Sequence, residues 1–253
     1  MSRIDTLLEL AARRPDIRDV AAARASAAGT QADASWYRIV AAAAPAEPAT
    51  VYLYDQIGGW FGVGADQFVR DLAAVDAPRI NLHINSPGGD VFDAIAIHAA
   101  LVNHPAQVHV AVDALAASAA SFVAMAGETI GIEKPARMMI HDARGLTFGS
   151  PTDHQVMTDL LHSISDTIAG MYADRAGGSP TAWRDAMRAN NDSGTWYTAA
   201  QAVDAGLADH IRNDTSTTTA APDPGEGDTA PAAAADRRTQ MIRALVRARS
   251  ARG

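Results

Sequence analysis

The chain has 253 residues, of which 48% are hydrophobic but only 6% aromatic, so alanine supplies much of the apolar count and the core is smaller than the first figure suggests. A formal net charge of −8 argues against general nucleic-acid binding, and the absence of cysteine removes disulfides, thiol nucleophiles and thiolate metal sites together. Neither the start Met1-Ser2-Arg3-Ile4-Asp5 nor any later stretch has the apolar run of a signal peptide or of a membrane span of about 20 residues, and a soluble protein of the cytoplasm is expected.

Residues 2–27 place Ile4, Leu7, Leu8 and Ala11 at helical spacing, which predicts an amphipathic helix, either a solvated appendage or a docking helix. Residues 36–40 read as a short strand, and residues 41–50, with Pro45 and Pro48, as a linker. The first 50 residues are therefore expected as an appendage before a main domain at 51–212. From Val51 the pattern becomes regular. Strands are expected at 51–54, 79–85, 108–112, 129–132 and 137–141, and helices at 65–75, 91–103 and 118–127. Such alternation implies βαβ crossovers and an α/β sheet covered by helices. A long helix from 152 or 153 to 176 carries one apolar stripe, Val156, Leu160, Leu161, Ile164, Ile168 and Met171, suited to core or subunit interface. Gly177-Gly178-Ser179-Pro180 ends it and starts a helix at 181–189. A last helix is expected over 196–207, with Thr198 as N-cap and Gly206 as its stop. Residues 213–235 are Thr, Ala, Pro, Gly and acidic residues without hydrophobic period, hence disordered linker. Residues 236–253 form a basic amphipathic helix or tail.

Two stretches carry chemistry. Residues 80–85 alternate like a strand and break into Ser86-Pro87-Gly88-Gly89, a tight turn presenting backbone N–H groups, the raw material of an oxyanion hole. Residues 113–121 place Ser118 among alanines just before an apolar helical run, where a serine is either an N-cap or a nucleophile.

Taken jointly, Ile84-Asn85-Ser86-Pro87-Gly88-Gly89, then Ala116-Ala117-Ser118 thirty positions after the first glycine (118 − 88), then Met139-Ile140-His141 twenty-three after the serine (141 − 118), resemble the Clp protease proteolytic subunit (ClpP) family. With Ile57-Gly58, Asp90-Val91-Phe92-Asp93, Thr195-Trp196-Tyr197-Thr198-Ala199 and Gly206-Leu207-Ala208-Asp209, the chain is similar over roughly residues 50–212 to the ClpP-type head maturation proteases of tailed phages. The resemblance implies a crotonase/ClpP-like ββα spiral with helical appendages, and a serine endopeptidase with no metal or organic cofactor. It also implies contacts between protomers through the long helix, making a homo-oligomer. The expected substrate is capsid or scaffold protein in an assembling prohead in the host cytoplasm, with no nucleic-acid or membrane partner. Three rival readings stand beside it: a general proteolytic subunit working with an ATPase, a crotonase-type acyl-CoA hydratase or isomerase, and a weakened protease fold kept as a capsid-assembly or scaffolding protein.

A serine hydroxyl needs a base as it attacks, and histidine suits that duty. In the family register Ser118 is the nucleophile, His141 the base, and the backbone N–H groups of Gly88 and Ala119 the oxyanion donors. Ser121 is the competing hydroxyl, and the register favours Ser118. His83 reads as an ordinary strand residue, and the remaining histidines lack ligand spacing. The third triad member departs from the pattern. Where ClpP proteins carry an aspartate two residues before the aromatic, this chain has Gly194 before Trp196. Phage relatives commonly have Glu-Thr-Trp there and an aspartate two residues earlier; this chain retains only the latter, as Asp192, which is the expected orienting carboxylate. Asp142 is disfavoured because neighbouring strand residues point to opposite faces, and a Ser–His dyad stays open.

Overall fold

The computed structural model describes residues 36–44, 46–58 and 64–212; the expected N-terminal helix, the linker after Arg212 and the basic tail lie outside them. Eight strands form one sheet: β1 (Tyr37–Val40), β2 (Ala49–Tyr54), β3 (Arg79–Ser86), β4 (Gln107–Ala117), β5 (Thr129–Glu133), β6 (Arg137–Ile140), β7 (Thr195–Thr198) and β8 (His210–Arg212). Their order is β1-β2-β3-β4-β5-β8, with β6 paired to β4 and β7 to β6. Strands β2 to β5 and β8 run parallel, β6 is parallel to β4, and β1 and β7 pair antiparallel. The expected α/β class is thus observed. β1, read as part of an appendage, is the sheet's edge strand, and Trp36 and Tyr37 are buried against Phe68.

Strand alternation explains β3. Ile80, Leu82, Ile84 and Ser86 face inward while Asn81, His83 and Asn85 are half-buried on the other face. Helix α1 (Ala65–Ala73) covers the sheet with Phe68 and Leu72, and α2 (Val91–Val102) with Ala94, Ile97 and Leu101. Asp90 caps α2, its carboxylate accepting from the N–H groups of Phe92 and Asp93, which satisfies donors a helix start leaves open.

Three of the expected elements begin or end elsewhere. β4 runs on to Ala117, five residues past its expected end, because its second half pairs with β6 (Leu115 with Arg137, Ala117 with Met139) while its first half pairs with β5. The helix expected at 118–127 is α3 (Ala119–Val123) plus one 3₁₀ turn at Ala124–Ala126. β7 occupies the start of the helix expected from 196, and pairing with β6 is again the reason. An alanine run has no period, so the ladder decides its conformation.

Helix α4 (Pro151–Ala176) opens on a capping box between Ser150 and Asp153, a strong start signal. Its apolar stripe is divided. Ile164 and Ile168 are buried in the core, whereas Val156 is 63% and Leu160 43% exposed, so the N-terminal half stands clear of the domain. Helices α5 (Pro180–Met187) and α6 (Ala199–Ala205) complete the cover, capped by Ser179 and Thr198. Trp183, Tyr172 and Phe122 fill the space beneath them, at about 1.5–3 kcal/mol for each large apolar side chain removed from water. Among the described residues no helix is long and apolar enough to cross a membrane.

Candidate active site

Strands β3, β4 and β6 are parallel neighbours, with Ser86 opposite Ala116 and Ala117 opposite Met139. Their carboxyl ends therefore open on one edge of the sheet, where α/β sheets place their sites. Gly88, Ser118 and His141 follow those ends. Ser118 N–H donates to Met139 O at 2.9 Å, which locks the two turns together. Ser118 Oγ and His141 Nε2 are 2.7 Å apart across 23 residues of sequence, within the reach of a nucleophile and its base.

Ser118 has φ 53° and ψ −124°, a backbone that costs a non-glycine residue about 1–3 kcal/mol and that is held only where surrounding structure imposes it. It is the corner between β4 and α3, and it lifts the hydroxyl out of a bed of buried Ala117, Ala119 and Ala120. Gly88 makes the corner possible. Its φ is +96°, and a Cβ there would lie 2.7 Å from Ala117 O and Ala119 N and 2.8 Å from Ser118 Cβ, so only glycine lets the two turns touch.

Gly88 N–H donates to Ser86 Oγ at 3.1 Å, and Ser86 Oγ donates to Asp55 O at 2.6 Å. The expected donor is thus engaged inside its own turn, a serine-to-i+2 contact that the Ser-Pro-Gly order could have signalled. Gly88 O accepts from Ile57 N–H, and Asp90 N–H donates to Ile57 O. Both groups point to Ile57, so the intervening Gly89 N–H is directed away from it. Ala119 is the first residue of α3, where a helix leaves its N–H groups without intrahelical acceptors.

Ser121 does structural work. It is fully buried, donates to Ser118 O, and shares a 2.7 Å hydrogen bond with Tyr172 Oη. His83 pairs through Nδ1 with the Asp113 carboxylate at 2.9 Å, which also accepts from Tyr54 Oη at 2.6 Å.

Burial and the positive charge of Arg144 push the His141 pKa below its usual value, opposed by the Asp142 main chain and carboxylate. The ring is therefore held in the neutral form a base requires. Although the Asp142 main chain adjoins the ring, His141 Nδ1 is buried without a formed hydrogen bond. The Asp192 carboxylate expected there does not reach it. Asn190, Asn191 and Asp192 have φ of 58°, 55° and 59°, a left-handed turn that leaves Asp192 exposed, with its carbonyl accepting from Arg144 Nη2 at 2.8 Å. Asn and Asp are the side chains that tolerate such a turn.

A parallel α/β sheet that sets a hydrogen-bonded serine–histidine pair on a strained strand-to-helix corner, beside a glycine turn, has the architecture of serine hydrolases. The family model described as Clp protease matches residues 49–215, more than half of the chain. The chain is 32% identical over 144 residues to the ATP-dependent Clp protease proteolytic subunit 2 of Mycolicibacterium paratuberculosis, covering 55% of this chain and 70% of the relative. It is 32% identical over 145 residues to subunit 1 of Leifsonia xyli subsp. xyli (56% and 71%), and 30% over 156 residues to subunit 3 of Streptomyces coelicolor (59% and 70%). The chain belongs to the Clp protease family, whose peptidases are serine-type hydrolases.

Proposed function

We propose that this protein is a serine endopeptidase, and the observation that carries the reading is the 2.7 Å contact between Ser118 Oγ and His141 Nε2 on a strained corner. His141 takes the Ser118 proton as Oγ adds to the scissile carbonyl carbon. The N–H groups of Gly89 and Ala119 meet the developing oxyanion, each such donor being worth about 2.7–4 kcal/mol. Collapse breaks the C–N bond, and His141 returns the proton to the leaving amine. Water, deprotonated by His141, then adds to the Ser118 acyl ester, and its collapse restores the serine.

The substrate in this reading is capsid or scaffold protein of a tailed phage, cleaved by a homo-oligomer in the host cytoplasm. It is supported by the likeness of the Gly-Asp-Val-Phe-Asp and Thr-Trp-Tyr segments to the head maturation branch. The exposed half of α4 is the contact between copies. A second reading, a proteolytic subunit served by an ATPase, is favoured by the relatives, which are named as ATP-dependent. A fluorophosphonate probe should label the wild type at Ser118 and not Ser118→Ala. Cleavage of a co-expressed phage capsid or scaffold protein without ATP supports the first substrate reading; degradation only when an unfoldase and ATP are added supports the second.

A further inference from the structure

Three buried side-chain polar atoms among the described residues have no hydrogen-bond partner, namely His141 Nδ1, Asp142 Oδ1 and Arg184 Nη1. They belong to one connected group, since Asp142 follows the base in the chain and is bound by Arg184. Unpartnered buried polar atoms are costly and uncommon, and here they stand beside the base.

Asp142 is anchored on one oxygen only. Its Oδ2 accepts from Arg188 Nε at 3.0 Å and lies 3.2 Å from Arg184 Nη2. Arg184 is held in turn by Asp166 at 3.2 Å and by His162 Nδ1 at 3.3 Å. The two guanidinium groups thus fix the carboxylate and leave Oδ1 as a free acceptor, while the neighbouring residue holds a free ring nitrogen. β6 ends at Ile140, so the opposite-face rule of a strand does not govern residues 141 and 142. The other sources of a carboxylate are closed: Gly194 has no side chain, and Asp192 is turned outward.

We propose that Asp142 is the positioning residue of this site. Its Oδ1 accepts a hydrogen bond from Nδ1–H of His141 as the imidazolium forms, and Arg184 and Arg188 hold the carboxylate for that contact. The inference rests on reading Ser118 and His141 as nucleophile and base. Nδ1–H···Oδ1 closes when substrate tightens the site, as happens with catalytic hydrogen bonds that are open in a ligand-free enzyme. It keeps the proton on Nδ1 and so leaves Nε2 free to accept from Ser118.

The test is the pH dependence of Ser118 phosphonylation by a fluorophosphonate, with thermal melting of each variant. The charged groups around the ring are Arg144 and Asp142, with Arg184, Arg188, His162 and Asp166 behind. Asp142→Asn should lower the plateau rate by about tenfold to 10⁴-fold, the upper figure being the loss seen when a triad carboxylate is neutralised. Its acid limb should move to lower pH, because removing the negative charge weakens proton binding by the ring. Asp166→Asn, which loosens Arg184 on its far side, should lower the plateau rate less than Asp142→Asn does. A folded Asp142→Asn protein with wild-type plateau and limb overturns the proposal, as does an equal loss in Asp166→Asn. Should Asp142→Asn fail to fold, Arg188→Gln decides: a smaller loss of plateau rate supports the clamp, and a wild-type plateau overturns it. A wild type that is not labelled at Ser118 removes the nucleophile–base reading itself and the proposal with it.

Discussion

Gly194 lies against the main chain of His141: a Cβ there would come within 2.2 Å of Ile140 O and 2.6 Å of His141 Cβ, at a φ of +88°. The family's carboxylate therefore cannot be restored by adding one. Gly194→Asp and Gly194→Ala should both lower stability, by about 1–3 kcal/mol for the backbone conformation alone, and both should slow labelling because they displace the base. Melting temperature and labelling rate measure the two effects. Raised activity in Gly194→Asp would show that the 194–198 segment yields more readily than its packing suggests.

The two serines of the corner should separate cleanly. Ser118→Gly abolishes labelling yet melts higher than Ser118→Ala, because glycine adopts φ 53° without the strain alanine retains. Ser121→Ala keeps its labelling and loses about 1–3 kcal/mol of stability, since it leaves the buried Tyr172 hydroxyl without its partner. Labelling that survives in Ser118→Ala and disappears in Ser121→Ala would reverse the assignment.

Because burial and Arg144 lower the His141 pKa, the ring stays neutral to a pH below the ordinary histidine value of about 6.5. Activity should fall as pH drops through that lowered pKa. The sign for stability follows: the unfolded state binds the proton first, so this residue's contribution weakens as pH falls below about 6.5. Arg144→Gln removes the repelling charge and should move the acid limb upward, toward that value. A pH–rate profile of the single variant reads the shift, and a limb that stays put would remove Arg144 as its cause.

Val156 and Leu160 lie exposed on the projecting half of α4, and each contributes about 1.5–3 kcal/mol when covered. Leu160→Glu should give smaller species in sedimentation, with far-ultraviolet circular dichroism kept. Activity should fall with assembly, because the same helix supports the loop after the base: Met157 and Leu161 approach the position of a Gly145 Cβ to 3.4 Å. A wild-type monomer that cleaves at full rate would mean that the exposed half of α4 serves another purpose.

Periodicity and short-range chemistry made much of this protein legible in its sequence. The alternation in residues 80–85, the Thr198 cap and the Gly206 stop all appear where the residues placed them, because each depends on neighbours a few positions away. The order of the motifs singled out Ser118 and His141, which the fold sets 2.7 Å apart. What only the tertiary structure decided depends on partners far along the chain. The alanine run 114–117 became strand because β6 and β3 offered it a ladder. The N–H of Gly88 turned inward because Ser86 reached it. Asp192, correctly spaced in sequence, was carried outward by a left-handed turn, while Asp142, set aside by a strand rule, was brought into play because the strand ends one residue before the base. Spacing counts residues, but the direction of an N–H or a carboxylate is set by the dihedrals and hydrogen bonds that the whole fold imposes.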